Sequence, residues 1–270
     1  MTIKTITHAD GRTFRFGRVR PRARAPSLML GNYMMRGLPA APKGPLNYPA
    51  KASAGLSMIL GNDRLGNCTA AGAGHIEDVI RANADSGLPS VTEAQTIAFY
   101  SATTGYKPSD PSTDQGGNEQ DVLNYWRDKG FFADGSGKIK GWLRVNGADP
   151  EEIRTALWLF ENLYFGVELP DGWINPMPSG NNFTWDVAGD PDPENGHCFV
   201  GVDYADAGVE IDTWGMLGTL TYPAIAKYAA GGGGELYAVL SPDAVNKASG
   251  RAPNGFDVSQ LLADFQALGG

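Results

Sequence analysis

Cysteine and histidine are both scarce. The chain holds two of the first, Cys68 and Cys198, and three of the second, His8, His75 and His197. Two cysteines cannot build a disulfide framework. With no CxxC or HxxxH spacing, these residues give no support to a four-ligand zinc site either. No run of 18 apolar residues occurs, which excludes a transmembrane helix. The opening MTIKTITHADGRTFRFGRVR lacks the apolar stretch of a secretory signal. Reduced thiols, no membrane contact and a cytoplasmic or virion-associated location are the resulting expectations. Charge is also sparse, at 19% of residues, whereas 42% are hydrophobic and 10% aromatic. Glycine (36) and proline (18) make up a fifth of the 270 residues, the mark of a loop-rich globular protein and not of a disordered one.

Net charge is −8, but it is uneven. Arg12, Arg15, Arg18, Arg20, Arg22 and Arg24 fall in one stretch without an acid, and the rest of the chain carries −14. Such a stretch either grips an acidic partner or lies on its own acidic body. Aromatic and basic residues do not interleave beyond Phe14 and Phe16, so nucleic acid is not the expected partner. Pro21, Pro26, Pro39, Pro42, Pro45 and Pro49 argue against long helices here. Residues 1–53 therefore read as an extended basic arm, with a short strand over Thr13 to Val19.

Beyond the arm, the pattern changes at mid-chain. Cys68 to about Asn83 reads as an Ala-rich helix with an apolar face through Ala71, Ile76, Val79 and Ile80. Gly72 and Gly74 suggest close approach to another backbone, and Glu77 and Asp78 read as its solvated side. Ser90-Val-Thr-Glu93 matches a capping box ahead of a second helix, and Asn118 to Lys129 forms a third. Strands then dominate: Lys138 to Val145, Leu163 to Leu169, a hairpin of His197 to Tyr204 with Val209 to Trp214, Met216 to Thr221, and Glu235 to Ser241. Two helices interrupt them, Glu151 to Glu161 behind an Asp149-Pro150 start, and Pro223 to Ala230. Asp171 to Asn195 reads as a long loop. This is an α+β chain, with a core over 54–243 divided into a helical lobe (about 54–135) and a β lobe (about 136–243), and a cleft between them. Residues 244–270 form a linker and an amphipathic helix through Leu261, Leu262, Phe265 and Leu268, closed by Gly269.

A cysteine hydrolase needs a thiol whose ionisation is assisted, for example at a helix N-terminus. It also needs a histidine as base and acid, a group that orients the imidazole and a polar donor for the oxyanion. Gly66-Asn67-Cys68 sits where a loop gives way to a helix. Gly196-His197 follows 129 residues after Cys68, and Ile211-Asp212-Thr213-Trp214-Gly215 begins the next such match, with Asp212 144 residues after Cys68; Asn62 precedes Cys68 by six. In this order the chain resembles the papain-like cysteine peptidases, over about residues 55–241, and suggests a bacterial or tailed-phage member. The resemblance implies a two-lobe fold with Cys68 as nucleophile, His197 as base and acid, Asp212 as orienter in place of asparagine, Asn62 as oxyanion donor in place of glutamine, and Trp214 as a shield over the histidine. It implies peptide or protein substrates and no cofactor or metal. Thr69 departs from the family, where an aromatic residue follows the cysteine.

Cys198 should point away from His197 into the core. His75, two turns beyond Cys68 and about 10 Å along the axis, reads as structural. A second function class remains open: a papain-like scaffold with little or no catalysis, serving binding or virion assembly through the arm, the Gly231 to Gly234 tip and the C-terminal helix. A thiol amidase of cell walls ranks below both, because its cysteine-to-histidine spacing is much shorter.

Overall fold

In the computed structural model, the N-terminal arm is already part of the core. The structure describes residues 3–22, 27–34, 39–231, 233–242 and 257–267; Arg24, Pro26, the linker at 244–256, Leu268 and Gly269 lie outside the described residues. Strand β1 (Lys4–Thr7) pairs antiparallel with β2 (Thr13–Phe16), and the chain continues into β3 (Arg18–Val19). The period-2 alternation of a strand turns Phe14, Phe16 and Arg18 inward, and all three are buried. The basic side chains find counter-charges on the same molecule: Arg15 on Asp114, Arg18 on Glu119 and Glu235, Arg20 on Glu168 and Arg22 on Asp121, all outside the arm, whereas Arg12 pairs with Asp10 of the arm itself. Four of the described arginines thus lie on acidic groups of the chain's own body.

Four helices follow. Helix α1 (Tyr48–Leu56) begins inside the stretch read as extended, with Pro49 in its first turn, where proline is tolerated. Helix α2 (Cys68–Asn83) has the predicted span. Helix α3 (Glu93–Thr104) is capped by a box formed by Thr92 and Gln95, not by Ser90 and Glu93. Helix α4 (Glu119–Lys129) is capped by Asn118, whose side chain accepts from Gln120 and Asp121. Strand β3 pairs in parallel with β4 (Gly117–Asn118) at the foot of α4, which ties the arm to the helical lobe.

The second half forms a seven-stranded sheet from β5 (Gly141–Arg144), β6 (Leu163–Glu168), β7 (Phe183–Trp185), β8 (Gly196–Ala205), β9 (Gly208–Thr213), β10 (Met216–Thr221) and β11 (Glu235–Leu240), in the order β5-β11-β6-β8-β9-β10-β7. All neighbours are antiparallel except β10 and β7, so the sheet is mixed. The stretch read as one long loop contains β7 and α6 (Asp171–Ile174). Helices α5 (Pro150–Phe160), capped by Asp149, and α7 (Tyr222–Tyr228) complete this lobe.

The sheet divides the core in two. On one face Cys198, Val200, Val202, Tyr164, Tyr237 and Val239 meet α2 through Cys68, Ala73, Ile76 and Val79. On the other, Phe165, Phe199, Val209 and Ile211 join Phe14, Phe16, Leu157, Trp173 and Trp214. Gly72 is the close-approach point: a Cβ there would lie 2.9 Å from the Tyr164 ring and 3.2 Å from the Cys198 sulfur. Its neighbours are thus side chains, not the backbone expected. Helix α8 (Val258–Ala267) starts behind Asp257, whose carboxylate accepts from the Gln260 N–H at 2.8 Å, and buries Leu261 and Phe265 in the same body. No helix among the described residues is long and apolar enough to cross a membrane.

Candidate active site

Cys68 opens α2, where unpaired N–H groups favour a negative charge. Its side chain is only 1% exposed. The backbone N–H groups of Gly17 and Cys198 lie near its sulfur and favour the thiolate, but burial outweighs them and pushes the thiol up to about 11. Cys68 is therefore a thiol at neutral pH in this state. The arm supplies part of the cover, since the Gly17 backbone lies beside the sulfur. Gly17 accepts the Gly117 N–H at its carbonyl at 2.8 Å, and glycine is required there because a Cβ would strike the Gly66 carbonyl. Gly116 and Gly196 flank the same passage, each with its would-be Cβ against an arm carbonyl, Gly17 and Arg18 respectively. An extended segment of this chain thus runs across the thiol, between the two lobes.

His197 and Cys198 alternate across β8. Cys198 faces α2 as expected. The Cys198 N–H lies near the Cys68 sulfur, but no hydrogen bond joins that sulfur to the His197 ring. The imidazole is buried against Phe16 and Phe199 and stacks on Trp214, with ring centroids 4.1 Å apart and planes 17° from parallel. Trp214 thus covers one face of the ring. Trp214 and Gly215 both have positive φ, 52° and 73°, which gives the tight two-residue turn that joins β9 to β10 and folds the indole back over the ring. His197 Nε2 lies 2.9 Å from Thr213 Oγ1. Nδ1 is buried and has no hydrogen-bond partner. Burial lowers this histidine to about 3, so it is neutral. When Nε2–H donates to Thr213, the Nδ1 lone pair is left free.

Asp212 does not orient His197. In the β8–β9 register, Val200 pairs with Asp212 and Gly201 with Ile211, so Asp212 shares the α2 face with Val200, while Thr213 shares the opposite face with His197. One residue of offset moves a side chain to the other side of a sheet. The partner of Asp212 is His75, at 3.3 Å between Nε2 and Oδ2. Burial drives both toward their neutral forms, His75 down to about 4 and Asp212 well up, with Asp78 adding to the second. The contact is not a hydrogen bond, since both Asp212 oxygens are buried without a partner. The expected structural role of His75 stands, with the added partner. Glu77 and Asp78, read as solvated, are both buried. Trp126 Nε1 donates to Glu77 at 3.1 Å and the Val91 N–H to Asp78 at 2.7 Å.

Asn62 is buried in the loop before α2. Its Nδ2 donates to the Leu65 carbonyl at 3.0 Å and to the Arg15 carbonyl of the arm at 3.2 Å. The amide proposed to hold an oxyanion thus already binds a backbone carbonyl of an extended segment. Thr69 is fully buried under Gly117, whose would-be Cβ lies 2.5 Å from its Oγ1, leaving no room for an aromatic ring. No group of three or more His, Cys, Asp or Glu among the described residues is arranged to hold a metal.

No protein-family model matches the sequence, and no curated protein matches it. Solved structures do match. Xylellain, a cysteine protease from Xylella fastidiosa, aligns with a TM-score of 0.56 at 15% identity, over 84% of this chain and 96% of its own. Digestive procathepsin L 3 of the Tenebrio molitor larval midgut aligns with a TM-score of 0.53 at 12% identity, over 82% of this chain and 76% of its own. The chain has the papain-like cysteine protease fold. Within that papain-like frame, Thr213 is the site residue that sequence reasoning missed. Counting pairs outward from the Ala205–Gly208 turn places Asp212 opposite Gly201, on the face of His197. The bulge between Gly201 and Asp203 shifts the register by one residue, pairs Asp212 with Val200 and brings Thr213 to that face instead, and nothing in the sequence marks the bulge.

Proposed function

We propose that the chain is a thiol-dependent hydrolase of peptide or amide bonds, in a state where its own arm covers the nucleophile. One observation carries this reading: a peptide segment of the chain lies extended beside a cysteine at a helix N-terminus, and the strand that passes that cysteine holds a buried, neutral histidine with a free nitrogen. With the arm displaced and the ring brought within reach of the sulfur, Nδ1 of His197 takes the proton of Cys68, and the sulfur attacks the scissile carbonyl. The Asn62 amide and the Cys68 N–H hold the oxyanion. The imidazolium then protonates the leaving amine, and water, deprotonated by the same ring, releases the acyl group and regenerates the thiol. Thr213 and Trp214 position the ring. Asp212 has no part in these steps.

A scaffold reading is favoured by the buried, protonated state of Cys68 and by the absence of a hydrogen bond at Nδ1. Haloacetamide labelling followed by intact mass separates the two. The hydrolase reading expects slow labelling of Cys68 in the full chain, faster labelling in Phe16→Ala, and peptide turnover in that variant that Cys68→Ser abolishes. Fast Cys68 labelling without any turnover of a peptide library would leave the scaffold reading standing alone.

A further inference from the structure

Beside the thiol lies a charged pocket that the steps above do not use. Arg18 follows Gly17, whose backbone lies near the Cys68 sulfur, and its side chain enters the interior with no exposed surface. Glu235 Oε1 accepts from Nη2 at 2.7 Å and from Nε at 3.2 Å. The Gly233 carbonyl accepts from Nη2 at 2.8 Å, and Glu119 Oε1 lies 3.5 Å from Nε. Both carboxylates are fully buried as well. The second oxygen of Glu235 is fixed by the Tyr237 hydroxyl at 2.8 Å, which itself accepts from Gln120 Nε2 at 3.0 Å. Gly166 makes the space, since a Cβ there would meet both Glu119 and the Arg18 guanidinium. Arg18 Nη1 and Gln120 Oε1 remain buried without hydrogen-bond partners.

A buried acidic pair is costly to keep unless a cation fills it. Here the filling group comes from an extended segment held by backbone bonds beside a nucleophile, the way a bound peptide is held. We propose that the pocket of Glu119, Glu235, Gln120, Tyr237 and the Gly233 carbonyl is a recognition site for an arginine side chain of an extended peptide, with residues 13–19 as its intramolecular occupant. This deepens the hydrolase reading by naming the substrate class, peptides with arginine beside the scissile region, and only that catalytic consequence rests on it. Arginine is selected over lysine because its planar fork reaches Glu235 twice and the Gly233 carbonyl at once, which a point-like ammonium cannot do.

The test uses the full-length Arg18→Ala chain, which opens a guanidinium-sized space facing two glutamates. Thermal unfolding is followed with added N-propylguanidinium, n-propylammonium or neutral propylurea at constant ionic strength. The expected result is a saturable rise in midpoint with propylguanidinium, about 5 °C at a hundredfold excess over its dissociation constant, a smaller rise with propylammonium and none with propylurea. Adding Glu235→Gln should remove the rise. Should Arg18→Ala not fold, Arg18→Lys, which keeps the cation and the chain length, serves instead; propylguanidinium should displace the ammonium and raise its midpoint. Equal rises with all three compounds, or none in the variant that folds, overturns the proposal. These readouts need no turnover, so they stand apart from the Cys68-dependent assay that tests the hydrolase reading.

Discussion

Thr213 and Asp212 are adjacent in the chain and opposite in the sheet, so their substitutions should separate cleanly. Thr213→Val removes the hydroxyl at Nε2 and frees the imidazole to rotate. In an arm-released background it should lower kcat on the order of tenfold with little change in KM, the signature of a positioning residue. Asp212→Asn should leave kcat unchanged and lower the melting temperature, because it replaces a buried carboxyl facing His75 with an amide; a buried polar group left unsatisfied costs about 1–3 kcal/mol. If Asp212→Asn abolished turnover while Thr213→Val did not, the assignment of roles would be reversed. Cys68, His197 and Trp214 can be singled out in the sequence because each lies where a local motif meets an element boundary. It did not reveal the partner of His197, because partnership in a sheet is set by register.

Helix α2 illustrates the element scale. Its span was legible from Ala-rich periodicity, and α4 and α5 were legible from their Asn118 and Asp149 caps. Its environment was not, because residues 68 to 80 are all buried, covered by α1 on the side that charge alone would assign to water. Gly55 of α1 packs directly on the Asp78 carboxylate. The consequence is a pH dependence. Burial raises Glu77 from 4.5 to about 7 and Asp78 from 3.8 to about 6. A carboxyl whose folded value lies above its unfolded value favours the native state when protonated. Its stabilisation is full below the unfolded value and is lost as pH rises through the folded one. The contribution of Glu77 should therefore decline between about pH 4.5 and 7, by roughly 3 kcal/mol. Glu77→Gln, which keeps an oxygen for Trp126 Nε1 and cannot ionise, should flatten the fall of melting temperature across that window. An unchanged slope in urea titrations at pH 5 and pH 7 would contradict the assigned cause.

At the scale of the whole molecule, the arm acts as a clasp. It pairs with β4 in the helical lobe, places Phe14 and Phe16 in the core of the β lobe, and bridges the lobes through Arg18, which reaches Glu119 of α4 and Glu235 of β11. The two-lobe plan was readable from helices giving way to strands, but the arm's place was not, because prolines report what a segment cannot form and not where it docks. This arrangement predicts how Cys68 becomes reachable. Phe16→Ala should cost about 3–5 kcal/mol, as truncation of a buried phenylalanine does. Phe99→Ala, in the helical-lobe core, should cost a similar amount. If the thiol is exposed by sub-global release of the arm, alkylation follows that opening equilibrium. Phe16→Ala should then label Cys68 on the order of a hundredfold faster than the parent chain, and Phe99→Ala at the parent rate. If the thiol is reached only by unfolding of the whole body, both variants accelerate alike, because both lower the same global free energy. Comparing the two labelling rates at matched stability therefore distinguishes a clasp that opens from a segment that is simply one more strand of the core.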